Sequence, residues 1–125
     1  MKKILPAILI LLIISGKAYS QTSVKLSPQE FQQKIESGNV QLVDVRTAEE
    51  YTEGHIPHAM LANWKDMKAF RKTARKLDKK LPVLVYCKSG NRSKAASEWL
   101  LKKGFKEVYE LEGGFKNYQE QKEQE

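Results

Sequence analysis

Thiols and imidazoles are scarce in this chain: 125 residues contain one cysteine, Cys87, and two histidines, His55 and His58. A lone cysteine excludes an intramolecular disulfide, and with two histidines at no ligand spacing it does not make a zinc site. No Ser-His-Asp arrangement and no Gly-rich nucleotide loop occurs, so neither a hydrolase triad nor a nucleotide cofactor is expected. No metal or cofactor is called for. Long apolar runs are missing as well. The longest, Ile4 to Ile14, is too short for a bilayer span, which takes about 20 residues. Internal repeats and linkers are absent, which leaves room for one domain.

What the N-terminus does contain is a pattern. Lys2 and Lys3 precede the apolar run, and Ala18-Tyr19-Ser20 follows it. A basic start, a short apolar stretch and small residues at the end read as a secretory signal peptide over residues 1–20, with cleavage near Ser20. An uncleaved anchor is the alternative. The expectation is an exported protein, periplasmic or secreted, with a single domain over residues 21–125 and no stable membrane span after cleavage. The whole chain carries a formal net charge of +7. Residues 1–20 hold three lysines and no acid, so the remainder has 19 Lys+Arg against 15 Asp+Glu. That mild excess gives no reason to expect nucleic acid as a partner.

The remaining sequence alternates between helix and strand signals. Ser27-Pro28-Gln29-Glu30 is a capping box with proline in the first turn, and Gly38 can end the helix it opens,. Val40 to Val45 is apolar and β-branched enough for a buried strand,. Thr47-Ala48-Glu49-Glu50 repeats the capping pattern for a short helix stopped by Gly54, and a short strand is expected near Ala59 to Leu61. Met67, Phe70, Ala74, Leu77 and Leu81 recur at spacings of three and four, which predicts a long helix from Trp64 to about Lys80 capped by Asn63,. Its many Lys and Arg residues read as a solvated face or, alternatively, a surface for an anionic partner.

Pro82 opens a second buried strand, Val83 to Tyr86, which runs into Cys87-Lys88-Ser89-Gly90-Asn91-Arg92-Ser93. A helix from about Ser93 to Lys103, a strand from Val108 to Leu111, a Gly113-Gly114 turn and a last helix complete the chain. Such alternation implies βαβ units, hence an α/β fold with a mostly parallel central sheet and helices on both faces. Ligands of such sheets bind beyond the carboxyl ends of the strands, which is where Cys87 falls.

A cysteine in that position differs from an ordinary buried thiol. Backbone N–H groups of the loop and of the first helical turn can converge on the sulfur and favour its anionic form. Lys88 and Arg92 add positive charge nearby. The thiolate is the nucleophile, so Cys87 is the expected catalytic residue. Lys88, Ser89, Gly90, Asn91, Arg92 and Ser93 form its expected cradle.

CKSGNRS resembles the active-site loop of rhodanese-family sulfurtransferases. LVDVRTAEEYTEGHIPHA, Leu42 to Ala59, is similar to that family's upstream signature, and VYELEGGFKNY, Val108 to Tyr118, to its C-terminal strand and glycine turn. The likeness covers most of residues 27–118. It implies sulfur transfer from a donor such as thiosulfate or a persulfide to cyanide, a thiol or a protein acceptor, through a persulfide on Cys87. The resemblance also implies that the Lys88 to Ser93 backbone holds the outer sulfur, and that Asp44 and Arg46 support the core and loop. His55 is expected to stabilise a turn. His58 departs from the small residue, often glycine, that completes the turn in the family, and Tyr118 stands in place of a frequent tryptophan.

Two other functions compete. Cysteine phosphatases and arsenate reductases also set a thiolate before a helix, but phosphatase loops place five residues between Cys and Arg. Here four separate Cys87 from Arg92, and no second thiol exists to resolve an arsenate intermediate. A non-enzymatic binding or regulatory module is the second alternative, against which the retained cysteine and loop argue.

Overall fold

The computed structural model describes Lys3 and residues 22–125; the expected signal segment lies outside them apart from Lys3. Five parallel strands form one sheet: β1 (Val24–Leu26), β2 (Gln41–Asp44), β3 (Met60–Leu61), β4 (Val83–Tyr86) and β5 (Val108–Leu111), in the order β1-β5-β4-β2-β3. Between and after them run α1 (Pro28–Glu36), α2 (Ala48–Glu53), α3 (Met67–Ala74), α4 (Asn91–Lys102) and α5 (Gly114–Glu123). This is the expected α/β architecture. Both predicted capping boxes form, Ser27 with Glu30 and Thr47 with Glu50.

Alternation along the strands divides the core in two. Val83, Val85 and Cys87 face one side with Phe70, Ala74, Ala96 and Leu100 of α3 and α4. Leu84 and Tyr86 face the other, with Phe31, Phe115 and Tyr118 of α1 and α5. All four residues of β4 are buried, as a strand covered on both faces requires. Phe70 lies between Trp64 and Trp99, edge to face with each at 4.9 and 5.1 Å. Such pairs contribute about 0.5–1.5 kcal/mol beyond area burial.

Two elements differ from the sequence expectation. The long helix shrinks to Met67–Ala74, capped by Asp66 rather than Asn63. Beyond Ala74 the N–H groups of Lys76 and Leu77 bond three residues back, to Thr73 and Ala74. The chain must reverse there to enter β4. Leu77 still reaches the core, but Leu81 is exposed. The second difference is β1, three largely exposed residues whose strand character comes only from pairing with β5.

The central strand sets the functional edge. From β4 the chain crosses through α4 to β5 on one side, while β2 lies on its other side. The carboxyl end of β4 therefore stands where the sheet's winding reverses, the place where open parallel sheets bind ligands. Among the described residues no helix is long and apolar enough to cross a membrane.

The turn before β3 keeps its shape despite His58, which takes a left-handed backbone (φ +71°) with its side chain exposed. An L-residue there costs about 1–2 kcal/mol, and glycine's extra unfolded-state freedom offsets part of the relief. His58→Gly is expected to raise the unfolding free energy by about 0.5–1 kcal/mol in a urea titration; unchanged or lower stability would show that the turn is not strained.

Candidate active site

The turn from β4 into α4 buries Cys87 to 1% exposure. Its sulfur accepts backbone N–H groups from Gly90 at 3.1 Å and Ser93 at 3.4 Å, and its thiol donates to Ser93 Oγ at 3.4 Å. Gly90 makes this possible: φ +123° is a conformation that side-chain-bearing residues avoid,. The first turn of α4 adds further N–H groups that have no intrahelical acceptor. Thus Cys87, Gly90 and Ser93 are brought together, while Lys88, Ser89 and Asn91 sit exposed on the outside of the loop.

The last turn of the fold braces this loop from behind. Phe115 N–H donates to Cys87 O at 2.8 Å and Lys116 N–H to Lys88 O at 3.1 Å. Gly114 is pressed against the same backbone: a Cβ there would lie 2.3 Å from Lys88 O. The Gly113-Gly114 pair is thus more than a turn former, because its second glycine lets α5 seat directly on the cysteine loop.

Arg92 does not extend toward the sulfur as an unpaired cation. Its guanidinium makes a two-pronged bond to Glu50 of α2, Nη1 to Oε1 at 2.6 Å and Nη2 to Oε2 at 3.0 Å. The same Glu50 Oε1 accepts the Thr47 N–H of the capping box. Arg92 hydrogen bonding holds the Glu50 carboxyl down at about 2, and Glu50 in turn raises the Arg92 pKa. The sequence marked Glu50 as a cap only; nothing in the local pattern announced its partner 42 residues on.

Asp44 and Arg46 form a buried pair, Arg46 Nη2 to Asp44 Oδ2 at 2.7 Å. Arg46 also donates to Gly54 O at 2.7 Å and lies over the Phe115 ring at 4.3 Å. It ties β2, the end of α2 and α5 together beside the site. Tyr86, under this pair, donates no charge of its own: burial pushes its hydroxyl pKa far up, and that hydroxyl accepts the Ile56 N–H. His55 stacks on Tyr51 at 3.7 Å with Nδ1 2.8 Å from Tyr51 O, contacts that involve no residue of the cysteine loop. Tyr118 packs on Phe115 and donates to Gln32 of α1.

A cleft of about 320 Å³ opens beside the loop. Arg46, Lys88 and Lys116 line it along with Glu50 and Glu53, so its charge is mixed. Cys87 does not line it; Lys88 is the loop residue that does. Among the described residues no group of His, Cys, Asp and Glu could hold a metal ion.

Comparison with known proteins matches this fold and loop to one family. The Rhodanese-like domain family matches residues 27–121, and this chain belongs to it. A tRNA uridine(34) hydroxylase of Chlamydia abortus is 39% identical over 94 residues, 71% of this chain and 29% of that protein. Another, of Chlamydia pneumoniae, is 36% identical over 107 residues, 82% of this chain and 33% of its own length. The chain thus spans about a third of the curated relatives it matches. The crystal structure of a rhodanese-like domain protein from Staphylococcus aureus superimposes with a TM-score of 0.67 at 30% identity, covering 76% of this chain and 90% of that one.

These relatives correct one expectation. They are named as tRNA uridine(34) hydroxylases, which is not the name of an exported protein. That finding overturns the export expected from residues 1–20, whose basic start, apolar run and small residues carried the inference.

The Arg92–Glu50 bond has a measurable pH signature. A carboxylate held near 2 in the fold, against an ordinary 4.5, binds its proton more weakly folded than unfolded. Its stabilisation is therefore complete above about pH 4.5 and is lost as pH falls toward 2. The side chains are 20% and 24% exposed, so screening reduces the contribution to about 1–2 kcal/mol. Glu50→Gln, which keeps an acceptor for the cap, is expected to cost that much near neutral pH and almost nothing near pH 2. A cost independent of pH would mean that the charge pair is not what stabilises.

Proposed function

We propose that the domain transfers a sulfane sulfur through a persulfide on Cys87. The observation that carries this reading is the convergence of two backbone N–H groups on a buried sulfur at the end of the central strand. Donors aimed at a sulfur favour its thiolate, the form that attacks. In the first step the Cys87 thiolate forms a bond to the outer sulfur of a donor such as thiosulfate or a persulfide. The donor's S–S bond breaks, and sulfite or a thiolate leaves with the electron pair. In the second, cyanide, a small thiol or a protein thiol attacks the outer sulfur of the Cys87 persulfide and releases the Cys87 thiolate. Each step is a displacement at sulfur, and the two together are covalent catalysis with ping-pong kinetics.

The cradle suits the intermediate. The first-turn N–H groups of Asn91 and Arg92 are available to an outer sulfur beyond the one already bonded to Gly90 and Ser93. Lys88, on the cleft side of the loop, supplies the positive charge for an anionic donor. Arg92 acts by holding α4 to α2. This last point also weighs against phosphatase chemistry, which needs an arginine free to surround an oxyanion; here the guanidinium is committed to Glu50.

A second reading is favoured by the 36–39% identity to tRNA uridine(34) hydroxylases: the same cysteine serves modification of a tRNA uridine. The two readings differ in what the cysteine receives. Under the first, chain treated with thiosulfate or a small persulfide and desalted gains about 32 Da on Cys87, the mass of one transferred sulfur. Cys87→Ser gains nothing. A folded wild-type protein that acquires no sulfur from any donor of either class, as read by intact mass, contradicts sulfur transfer and leaves the tRNA reading.

A further inference from the structure

Behind the cysteine loop lies an acid that the displacement steps do not use. Glu110, on β5, is 3% exposed, and among the described residues neither of its oxygens meets a Lys, Arg or His. Its partners are two hydroxyls. Ser93 donates to Oε1 at 3.2 Å, and Ser23, just before β1, donates to Oε2. Ser93 is itself wholly buried and accepts the Cys87 thiol proton. The three groups form a line of donors and acceptors: thiol, hydroxyl, carboxylate.

We infer that Glu110 is the proton acceptor for Cys87, working through Ser93. The step moves two protons and no other atoms. The Cys87 S–H proton goes to Ser93 Oγ as the Ser93 O–H proton goes to Glu110 Oε1. The products are a thiolate, an intact serine hydroxyl now turned toward the sulfur, and a neutral carboxylic acid. A carboxylate buried without a cation is costly, and a second anion formed one hydroxyl away would repel it. Passing the proton inward generates the nucleophile with no change of net charge in the buried cluster. It also requires no bound water beside a sulfur that is 1% exposed. Gly90 O, 3.0 Å from Ser93 Oγ, is the alternative acceptor for the serine proton; it cannot keep a proton, whereas the carboxylate can.

No surrounding cation bonds directly to this line, although Arg92 acts on Cys87 through space. Lys25 of β1 stands in register with Glu110 but is exposed. Arg92 of α4 is taken by Glu50 of α2, and Asp44 and Arg46 at the end of β2 neutralise each other. Lys88 is exposed in the loop. Glu110 acts on the sulfur through Ser93 and is in that sense a positioning residue. The inference rests on the reading of Cys87 as a nucleophile, but not on the identity of the sulfur donor.

The test is the pH profile of Cys87 alkylation by iodoacetamide, a neutral reagent, from about pH 5 to 8. When a thiol and an acid share one proton, the thiolate fraction is set by the internal equilibrium and not by pH between the two steps of the coupled titration. Wild-type protein is expected to show a shelf, changing less than about threefold per pH unit. In Glu110→Gln the proton must leave to solvent, and the rate is expected to fall about tenfold per unit on the acid side. Ser93→Ala is expected to lose the shelf with Glu110 still present, and Glu110→Asp to retain part of it. A wild-type profile that already falls tenfold per unit overturns the relay, whether or not the variants fold. So does a Glu110→Gln profile shifted by one factor at every pH, which would mark a structural or simple field effect. Alkylation needs no sulfur donor. A shelf in a protein that never gains sulfur would therefore sink sulfur transfer and leave the relay standing.

Discussion

Gly90 and Ser93 point backbone N–H groups at a sulfur that is 1% exposed. That cradle is the constraint on which the neighbouring irregularities depend. This loop, with amides folded inward, meets the Gly90 carbonyl from within but not its first two carbonyls. Those of Cys87 and Lys88 are met instead by α5, through Phe115 and Lys116. Seating α5 so close leaves no room for a Cβ at Gly114. Orienting α4 so that its first turn faces the sulfur is the task of Arg92, tied to Glu50 on α2. Each feature that looked like an isolated motif is one support of the same loop.

The parallel sheet makes this assembly possible. All five strands run the same way, so the ends of β2, β4 and β5 deliver Asp44, Cys87 and Glu110 to one region from three separate parts of the chain. β4 is covered on both faces and anchors Cys87 at its end. The Asp44–Arg46 pair, sealed under Phe115, fixes the end of α2 beside it. Charge near the site is mostly cancelled in pairs, which leaves Lys88, Lys116 and the backbone amides as the groups able to meet an anion.

Much of this was legible in the sequence, and the parts that were not share a physical reason. Capping boxes, buried strands and the turn glycines are local patterns, and Ser27, Thr47, Val83 to Tyr86 and Gly114 announced themselves. The cysteine loop was found from its place between an apolar strand and a helix start. Long-range pairings left no local trace. Glu50 looked like a cap, Glu110 fell within the Val108 to Leu111 strand with no role assigned, and Val24 to Leu26 carried no strand signal, because each acquires its role from residues distant in the chain. The apolar stripe beyond Ala74 misled for the opposite reason: helical spacing continues to Leu81, but the need to turn back into β4 ends the helix first. Export, inferred from residues 1–20, was corrected by the relatives and not by the fold.

If the cradle exists to carry sulfur, a loaded Cys87 must also give its sulfur away, which an unproductive adduct would not do. The direct measurement is thiocyanate released when cyanide is added to protein pre-treated with thiosulfate and freed of excess donor. About one thiocyanate per chain is expected from wild type, and none from Cys87→Ser, as transfer through a single covalent thiol requires. Thiocyanate from Cys87→Ser, or none from folded and treated wild type, would contradict a sulfur-carrying role for this site.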